Sequence, residues 1–144
     1  MVTASTSKLN LLDTTMDGDD EHRVSVDFPI SAATGAAETA VVYFEIDPGH
    51  KLATHTDSAE EILYIAQGEG EAHVGDETAR VSAGDLAVVP AMAPHGIRNV
   101  GDTRLKVVGF FREAKIDSVF SAPLQPLGTA TPSFGGEVPA GAVA

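Results

Sequence analysis

Two histidines and two carboxylates are the residues in this 144-residue chain best suited to chemistry. His55, Asp57 and Glu61 lie in one short stretch, and His95 lies in a second stretch rich in Gly and Pro. Residues two apart on a β-strand point to the same face, so His55 and Asp57 can enter one cavity, and Glu61 can join them from the next strand. Imidazole and carboxylate donors of this kind suit one divalent transition metal ion: Fe, Mn, Ni, Cu or Zn.

The amino-acid composition excludes several classes of binding partner and several kinds of site. Nine Lys and Arg against 21 Asp and Glu give a formal charge of -12, which would repel nucleic acid and anionic membranes. The chain has no Cys, so thiolate metal sites, disulfides and a Cys nucleophile are excluded. No apolar run approaches the ~20 residues of a membrane span, and the first residues do not resemble an export signal. We therefore expect a cytoplasmic protein that acts on a small molecule.

The elements that must position these side chains are short and β-like. Apolar segments rich in Val, Ile, Tyr and Phe alternate with turn sequences such as Asp47-Pro48-Gly49. No segment of ten or more residues has a convincing helical period. Many short strands with Gly and Pro turns indicate a sandwich or barrel. The predicted strands are Val24 to Ile30, Thr39 to Ile46, Ile62 to Ala66, Gly70 to Val74, Leu86 to Val89 and Leu105 to Phe111.

The strands predict one domain with an extension at each end. Residues 1–23 combine a short Leu cluster with an acidic stretch, and we interpret them as an N-terminal arm. Residues 24–120 form the predicted barrel. Residues 121–144 are rich in Pro, Gly and Ala, so regular structure is not expected there, although Leu124, Leu127 and Phe134 could hold the tail against a barrel or a neighbouring subunit.

Two stretches of the chain match a pair of spaced motifs. The first motif, G-x5-H-x-H-x3-E-x6-G, is matched at Gly49, His55, Glu61 and Gly68. The second motif, G-x5-P-x-G-x2-H-x3-N, is matched at Gly84, Pro90, His95 and Asn99. These paired motifs resemble those of the cupin superfamily over about residues 39–111. The chain is similar to small single-domain cupins of the quercetin dioxygenase-like kind, also called the cupin type 2 conserved barrel.

The resemblance implies an all-β fold, a double-stranded β-helix or jelly-roll barrel, often dimeric. It also implies that His55, Glu61 and His95 hold a metal ion. Asp57 stands where the family usually has a second His, so it is either a fourth ligand or a base beside the ion. Asp57 and Glu61 are the candidate catalytic carboxylates. Met92 stands where the family usually has Gly, and we expect the turn to tolerate it.

The remaining polar residues near the motifs are expected to lie outside the site. Glu60 alternates in direction with the next carboxylate and should face solvent. His50 lies in a turn, and His73 alternates with small apolar residues that should face the interior. His22 belongs to the acidic arm, and Asn99 should hold a strand turn by hydrogen bonds.

One strand supplies both a cavity wall and an outer surface. Leu63 and Ile65 follow Glu61 at a period of two, so they should line the cavity. The outward face of the same strand carries Ile62, Tyr64 and Ala66. Because contiguous exposed apolar surface usually marks an interface, this face predicts a homodimer.

The function that the motifs favour is that of a metal-dependent enzyme, most of all a dioxygenase acting on a small organic substrate. Two alternatives remain open from the sequence. The first is a Lewis-acid isomerase or cyclase that uses the same residues. The second is a non-catalytic cupin that binds a metal or a small ligand, because a fold does not establish a reaction.

Overall fold

The fold is known from a computed structural model that describes residues 1–136, and it is built almost entirely from strands. One 3₁₀ turn, Ala32–Thr34, interrupts them. The strands are β1 Leu12–Met16, β2 Asp19–Ile30, β3 Ala40–Ile46, β4 Lys51–Asp57, β5 Glu61–Gln67, β6 Glu69–Val74, β7 Glu77–Ser82, β8 Leu86–Val89, β9 His95–Asn99, β10 Leu105–Phe111, β11 Ile116–Phe120, β12 Leu124–Gln125 and β13 Ser133–Phe134.

The strands form one curled sheet whose main path is β7-β6-β9-β4-β2-β3-β10-β5-β8. Neighbouring strands are antiparallel, except that β2 and β4 run parallel where His22 faces Lys51. The long β2 pairs with β3 on one side and with β4 on the other, so it joins the two walls. This arrangement confirms the predicted all-β jelly-roll barrel.

Burial along the strands follows the alternation expected for walls with one buried face. In β5, Glu61, Leu63 and Ile65 are buried while Ile62 and Tyr64 are exposed. The main core is apolar and contains Phe44, Ile46 and Val107 from one wall and Ala72 and Ile97 from the other. Burial of this apolar surface is the main source of stability.

The ends of the chain contain more structure than the sequence indicated. The segment 1–23, predicted as an arm, contains β1 and the start of β2. In the segment predicted as an irregular tail, β12 pairs with β1, and β13 pairs with β11. Leu124 is buried, and the ring of Phe134 stacks on Phe28 at 4.8 Å. The last part of that tail, residues 137–144, lies outside the described residues.

Among residues 1–136, no helix is long and apolar enough to cross a membrane.

Candidate metal centre

Two strands bring three potential metal ligands together inside the barrel. His55 and Asp57 point inward from β4, and His95 faces His55 directly across the antiparallel β4–β9 pair. All three side chains are buried. One ligand atom from each residue lies within 4.8 Å of the other two. The structure therefore assembles His55, Asp57 and His95 into a group that could hold a metal ion.

Main-chain carbonyls fix the two imidazoles in the form that binds metal. His55 Nδ1 lies 2.8 Å from the carbonyl oxygen of Ala53, and His95 Nδ1 lies 2.9 Å from that of Ala93. A carbonyl oxygen can only accept, so each Nδ1 carries the hydrogen. In the neutral rings, both Nε2 atoms then keep a free lone pair that faces the shared space.

Asp57 is oriented by the neighbouring strand. Ser118 lies opposite Asp57 in the β4–β11 pair, and its hydroxyl donates a 2.6 Å hydrogen bond to Asp57 Oδ1. The other oxygen, Oδ2, lies 3.1 Å from His95 Nε2 and 3.5 Å from His55 Nε2. An Asp side chain is shorter than a His side chain, but β4 brings the carboxylate of Asp57 close enough to both rings to share an ion with them.

The spacing of these atoms fits a metal ion. Two ligand atoms, each about 2.1 Å from an ion, are separated by about 3.0 Å at a right angle and by about 3.4 Å at a tetrahedral angle. The two distances from Asp57 Oδ2 to the imidazoles lie close to these values. The donor set of two imidazoles and a carboxylate is one that transition metals prefer.

Glu61 lies beside this group. It is buried on β5, and its Oε1 atom lies 3.8 Å from His95 Nε2. It is not one of the three residues whose ligand atoms are all mutually close. The space for its carboxylate exists because Gly109 has no side chain: a Cβ there would overlap Glu61 Oε2. Its predicted role as a metal ligand beside His55 and His95 stays a prediction.

The two buried carboxylates have opposite pKa shifts. Burial alone would raise the pKa of Asp57, but hydrogen bonds with His55, His95 and Ser118 hold it well below its usual range. Burial and the negative charge of Asp57 raise the pKa of Glu61 to about 8, against the opposing effect of His95. Burial would lower the pKa of His95, yet its hydrogen bond to Asp57 raises it. Burial and the ionised Asp57 therefore keep Glu61 largely protonated at neutral pH, and a cation beside the two carboxylates would favour ionisation of both.

An apolar cavity adjoins the candidate ligands. The volume of this cavity is about 80 Å³, which is enough space for a few water molecules. Its lining includes the rings of Phe28, Phe44, Phe111 and Phe120. Phe120 stacks on His55 with ring centroids 4.6 Å apart. Leu63 lines the cavity as predicted, whereas the same prediction for Ile65 is wrong, because Ile65 packs in the main core and is not part of the lining.

Two histidines that sequence reasoning placed outside the site line this cavity. His22 was expected in an exposed arm, but that prediction is wrong: it is 1% exposed, and Ala53 N–H donates to its Nδ1 at 3.0 Å. The signal available in the sequence was the alternation of His22 with Val24 and Val26. His73 was also expected elsewhere, yet it lines the cavity while its Nε2 lies 2.8 Å from Thr54 Oγ1.

Other expectations about the motifs are confirmed. Glu60 is exposed. Asn99 is buried, and its side-chain amide donates to the carbonyl oxygens of Ile46 and Thr103 at 2.8 Å, so it ties two turns together. Met92 adopts a φ of 64°, the left-handed region that glycine favours, and the turn accommodates it. Its backbone N–H donates to the carbonyl oxygen of Asp57 at 2.8 Å.

The structure thus combines a β-barrel with an inward-facing group of two imidazoles and a carboxylate, the arrangement of a barrel protein that could bind a metal ion. Residues 42–111 match the family model described as the cupin domain. Together with the jelly-roll fold, this match identifies residues 42–111 as a cupin domain.

One relative from sequence comparison is an uncharacterised protein of Methanocaldococcus jannaschii. The two proteins are 36% identical over 61 residues, which is 42% of this chain and 49% of the relative. This chain therefore matches about half of that relative's length.

Solved structures with a similar fold include two enzymes. Oxalate decarboxylase from Lactobacillus farciminis, in a formate complex, superposes with a TM-score of 0.66 and 24% identity over 77% of this chain and 33% of that one. The polyketide cyclase RemF from Streptomyces resistomycificus has a TM-score of 0.66 and 18% identity over 77% of this chain and 78% of that one. At these identities the likeness shows the shared fold alone.

Proposed function

We propose that this cupin is a metal-dependent dioxygenase that acts on a small organic molecule bound in the barrel. The observation that carries the proposal is the group formed by His55, Asp57 and His95, which is a two-His, one-carboxylate set. That set, with further positions left open, is associated with non-haem Fe(II) oxygen chemistry. A bound divalent ion would supply a Lewis acid and, where it is redox-active, a partner for dioxygen.

The chain's own residues would prepare the site for this chemistry. The carbonyls of Ala53 and Ala93 keep both Nε2 atoms available, and Ser118 keeps one oxygen of Asp57 directed at them. The apolar wall would exclude water from the substrate. Glu61, 3.8 Å from His95 Nε2, is placed to act as a further ligand or to accept a proton from the substrate.

A Lewis-acid isomerase or cyclase is the second candidate. It would use the same donors, and the similarity of the fold to a polyketide cyclase supports keeping it. A non-catalytic cupin that binds a metal or a small ligand is the third. The identity of the bound metal distinguishes the first two candidate functions, because oxygen chemistry requires a redox-active ion and carbonyl polarisation does not.

We also propose that two copies of the chain associate through the outer face of β5, β8 and β10. On this face Ile62 lies between Val88 of β8 and Phe110 of β10, while Tyr64 lies opposite Leu86. These five side chains are 39–68% exposed and form one apolar surface. β8 ends the main path of the sheet, so its outer backbone groups are also open to pairing. A second copy would cover both features.

The test of the function begins with elemental analysis of purified, untagged protein after reconstitution with each candidate ion. A matched pair of variants separates site metal from adventitious metal: His95→Ala removes a proposed ligand, and His73→Ala removes a cavity histidine outside the ligand group. We expect near-stoichiometric metal in wild type and in His73→Ala, and loss in His95→Ala. Equal metal in all three proteins would contradict the proposed site.

The reaction is tested with the loaded protein in an oxygen electrode. Catechols, flavonols and 1,3-diketones are offered in turn, because each can bring an oxygen to the ion within an apolar cavity. Substrate-dependent oxygen uptake that needs the metal supports the dioxygenase. Conversion of a diketone without oxygen uptake would favour the Lewis-acid alternative, and tight binding that a chelator leaves unchanged would favour the non-catalytic one.

A further inference from the structure

His22 is a buried polar group that the metal centre does not use. It lies on β2, directly beside β4, the strand that carries His55 and Asp57, and its ring lines the cavity. Phe120 lies between the two sites: it stacks face to face on His55 and meets His22 edge to face at 5.9 Å. His22 therefore lines the cavity, and the ring of Phe120 separates it from the metal group.

The hydrogen bonds of His22 determine which nitrogen carries its proton. The N–H of Ala53 donates to His22 Nδ1, so Nδ1 must be an acceptor without hydrogen. In the neutral ring the hydrogen then lies on Nε2, which makes Nε2–H a donor. Burial and the nearby His55 lower the pKa of His22 to about 4, so the ring is neutral at physiological pH.

That donor is unpaired. Among the described residues, two buried side-chain nitrogens have no hydrogen-bond partner, and His22 Nε2 is one of them. Three other polar side chains of the cavity have partners within the chain: Thr14 donates to Val24, His73 bonds to Thr54, and Ser118 donates to Asp57. Buried donors in folded proteins are nearly always paired, so an unpaired one on a cavity wall indicates a missing partner.

We propose that His22 is a ligand-binding residue whose Nε2–H donates a hydrogen bond to a carbonyl oxygen of a small, largely apolar molecule in the barrel. This inference rests on the proposed function in assuming that the cavity is the substrate site. It assigns the substrate two features: an apolar, ring-sized body that matches the Phe-lined wall, and an acceptor oxygen that His22 holds while another part of the molecule faces the metal group.

The experiment uses metal-free protein and two probes of the same shape. Acetophenone carries a carbonyl oxygen, and in α-methylstyrene a methylene group replaces that oxygen. Binding of each is measured by NMR titration of wild type, His22→Phe and the matched control His50→Phe, which changes a histidine outside the cavity lining. The ring Nε2–H signal of His22 in wild type is followed in the same titrations.

We expect wild type and His50→Phe to bind acetophenone roughly three- to tenfold more tightly than α-methylstyrene. In His22→Phe the ratio should fall to about one. The His22 Nε2–H signal should move downfield with acetophenone and stay in place with α-methylstyrene. An unchanged ratio in His22→Phe would overturn the proposal, and so would a His22 signal that acetophenone does not move up to its solubility limit.

The wild-type NMR signal keeps the test decisive even where His22→Phe does not fold, since it needs no variant. The absence of metal also separates this inference from the proposed function. Normal metal binding with no response of His22 refutes the role of His22 alone. A clear response of His22 in a protein that takes up no metal on reconstitution refutes the metal centre alone.

Discussion

Replacing His22 with Phe tests the burial of this histidine through the pH dependence of stability. In the folded protein its pKa is lowered to about 4, first by burial and then by the nearby His55, whereas an unperturbed His has a value of 6.5. Asp19 opposes this shift and Lys51 adds to it. Between these two pKa values the unfolded chain binds a proton that the folded chain does not, so stability falls as pH falls.

The magnitude follows from the difference between 6.5 and about 4. At ~1.4 kcal/mol per pKa unit, full titration removes about 3 kcal/mol of the free energy of unfolding. The contribution is complete above about pH 6.5 and is lost as pH falls towards about 4; close to 2 kcal/mol is gone by about pH 5. His22→Phe lacks this loss, although it leaves the Ala53 N–H without its partner at every pH.

The assay is urea unfolding of wild type and His22→Phe at about pH 7.5 and about pH 5, in the presence of a chelator. Other groups that titrate in both proteins cancel in the comparison. We expect the stability of wild type relative to the variant to fall by about 2 kcal/mol between the two pH values. A relative stability that is the same at both, within about 0.5 kcal/mol, would refute the reasoning, because His22 would then titrate like an exposed residue.

Four further substitutions test the site, the fold and the interface. Ser118→Ala removes the hydroxyl that orients the ligand carboxylate, and we expect metal affinity to fall ~10–100-fold in a competition titration. Gly109→Ala places a Cβ 2.6 Å from a Val42 methyl group and against the Glu61 carboxylate, which should cost about 1–3 kcal/mol of stability in urea unfolding. Met92→Gly relieves a left-handed φ of 64° and should raise stability by up to about 1 kcal/mol. Val88→Glu puts a charge on the proposed dimer face and should convert a dimer to a monomer in light scattering at micromolar concentration.

Each substitution has a matched control. Ser133→Ala breaks a Ser–Asp hydrogen bond of the same 2.6 Å length outside the site, and an equal loss of metal affinity there would deny a special role to Ser118. Gly101→Ala meets its nearest atom at an ordinary 3.5 Å and should be nearly neutral. Met92→Ala keeps the strained φ, so a gain equal to that of the Gly variant would disprove the backbone explanation. Val119→Glu places the same charge on an exposed residue of β11, outside the proposed dimer face, and should leave the dimer intact. A wild-type protein that is already monomeric would contradict the dimer.

The sequence by itself determined the barrel and the set of candidate ligands. Alternating apolar residues and regular Gly and Pro turns are local signals, and a strand such as β5 buries the residues that its own period of two selects. Spaced motifs also indicated His55, Glu61 and His95 without any knowledge of their contacts. The prediction of the strands succeeded because strand period is a property of neighbouring residues along the chain, and motif spacing is a local signal of the same kind.

Only the tertiary structure decided how the site is completed. The orientation of Asp57 depends on Ser118, which is 61 residues away in sequence and meets it because β11 pairs with β4. His22 has an acidic, polar neighbourhood in sequence, yet the parallel pairing of β2 with β4 carries it into the interior beside Phe120. Pairings between distant strands are set by closure of the whole barrel and by burial of its core, so no local pattern could reveal them.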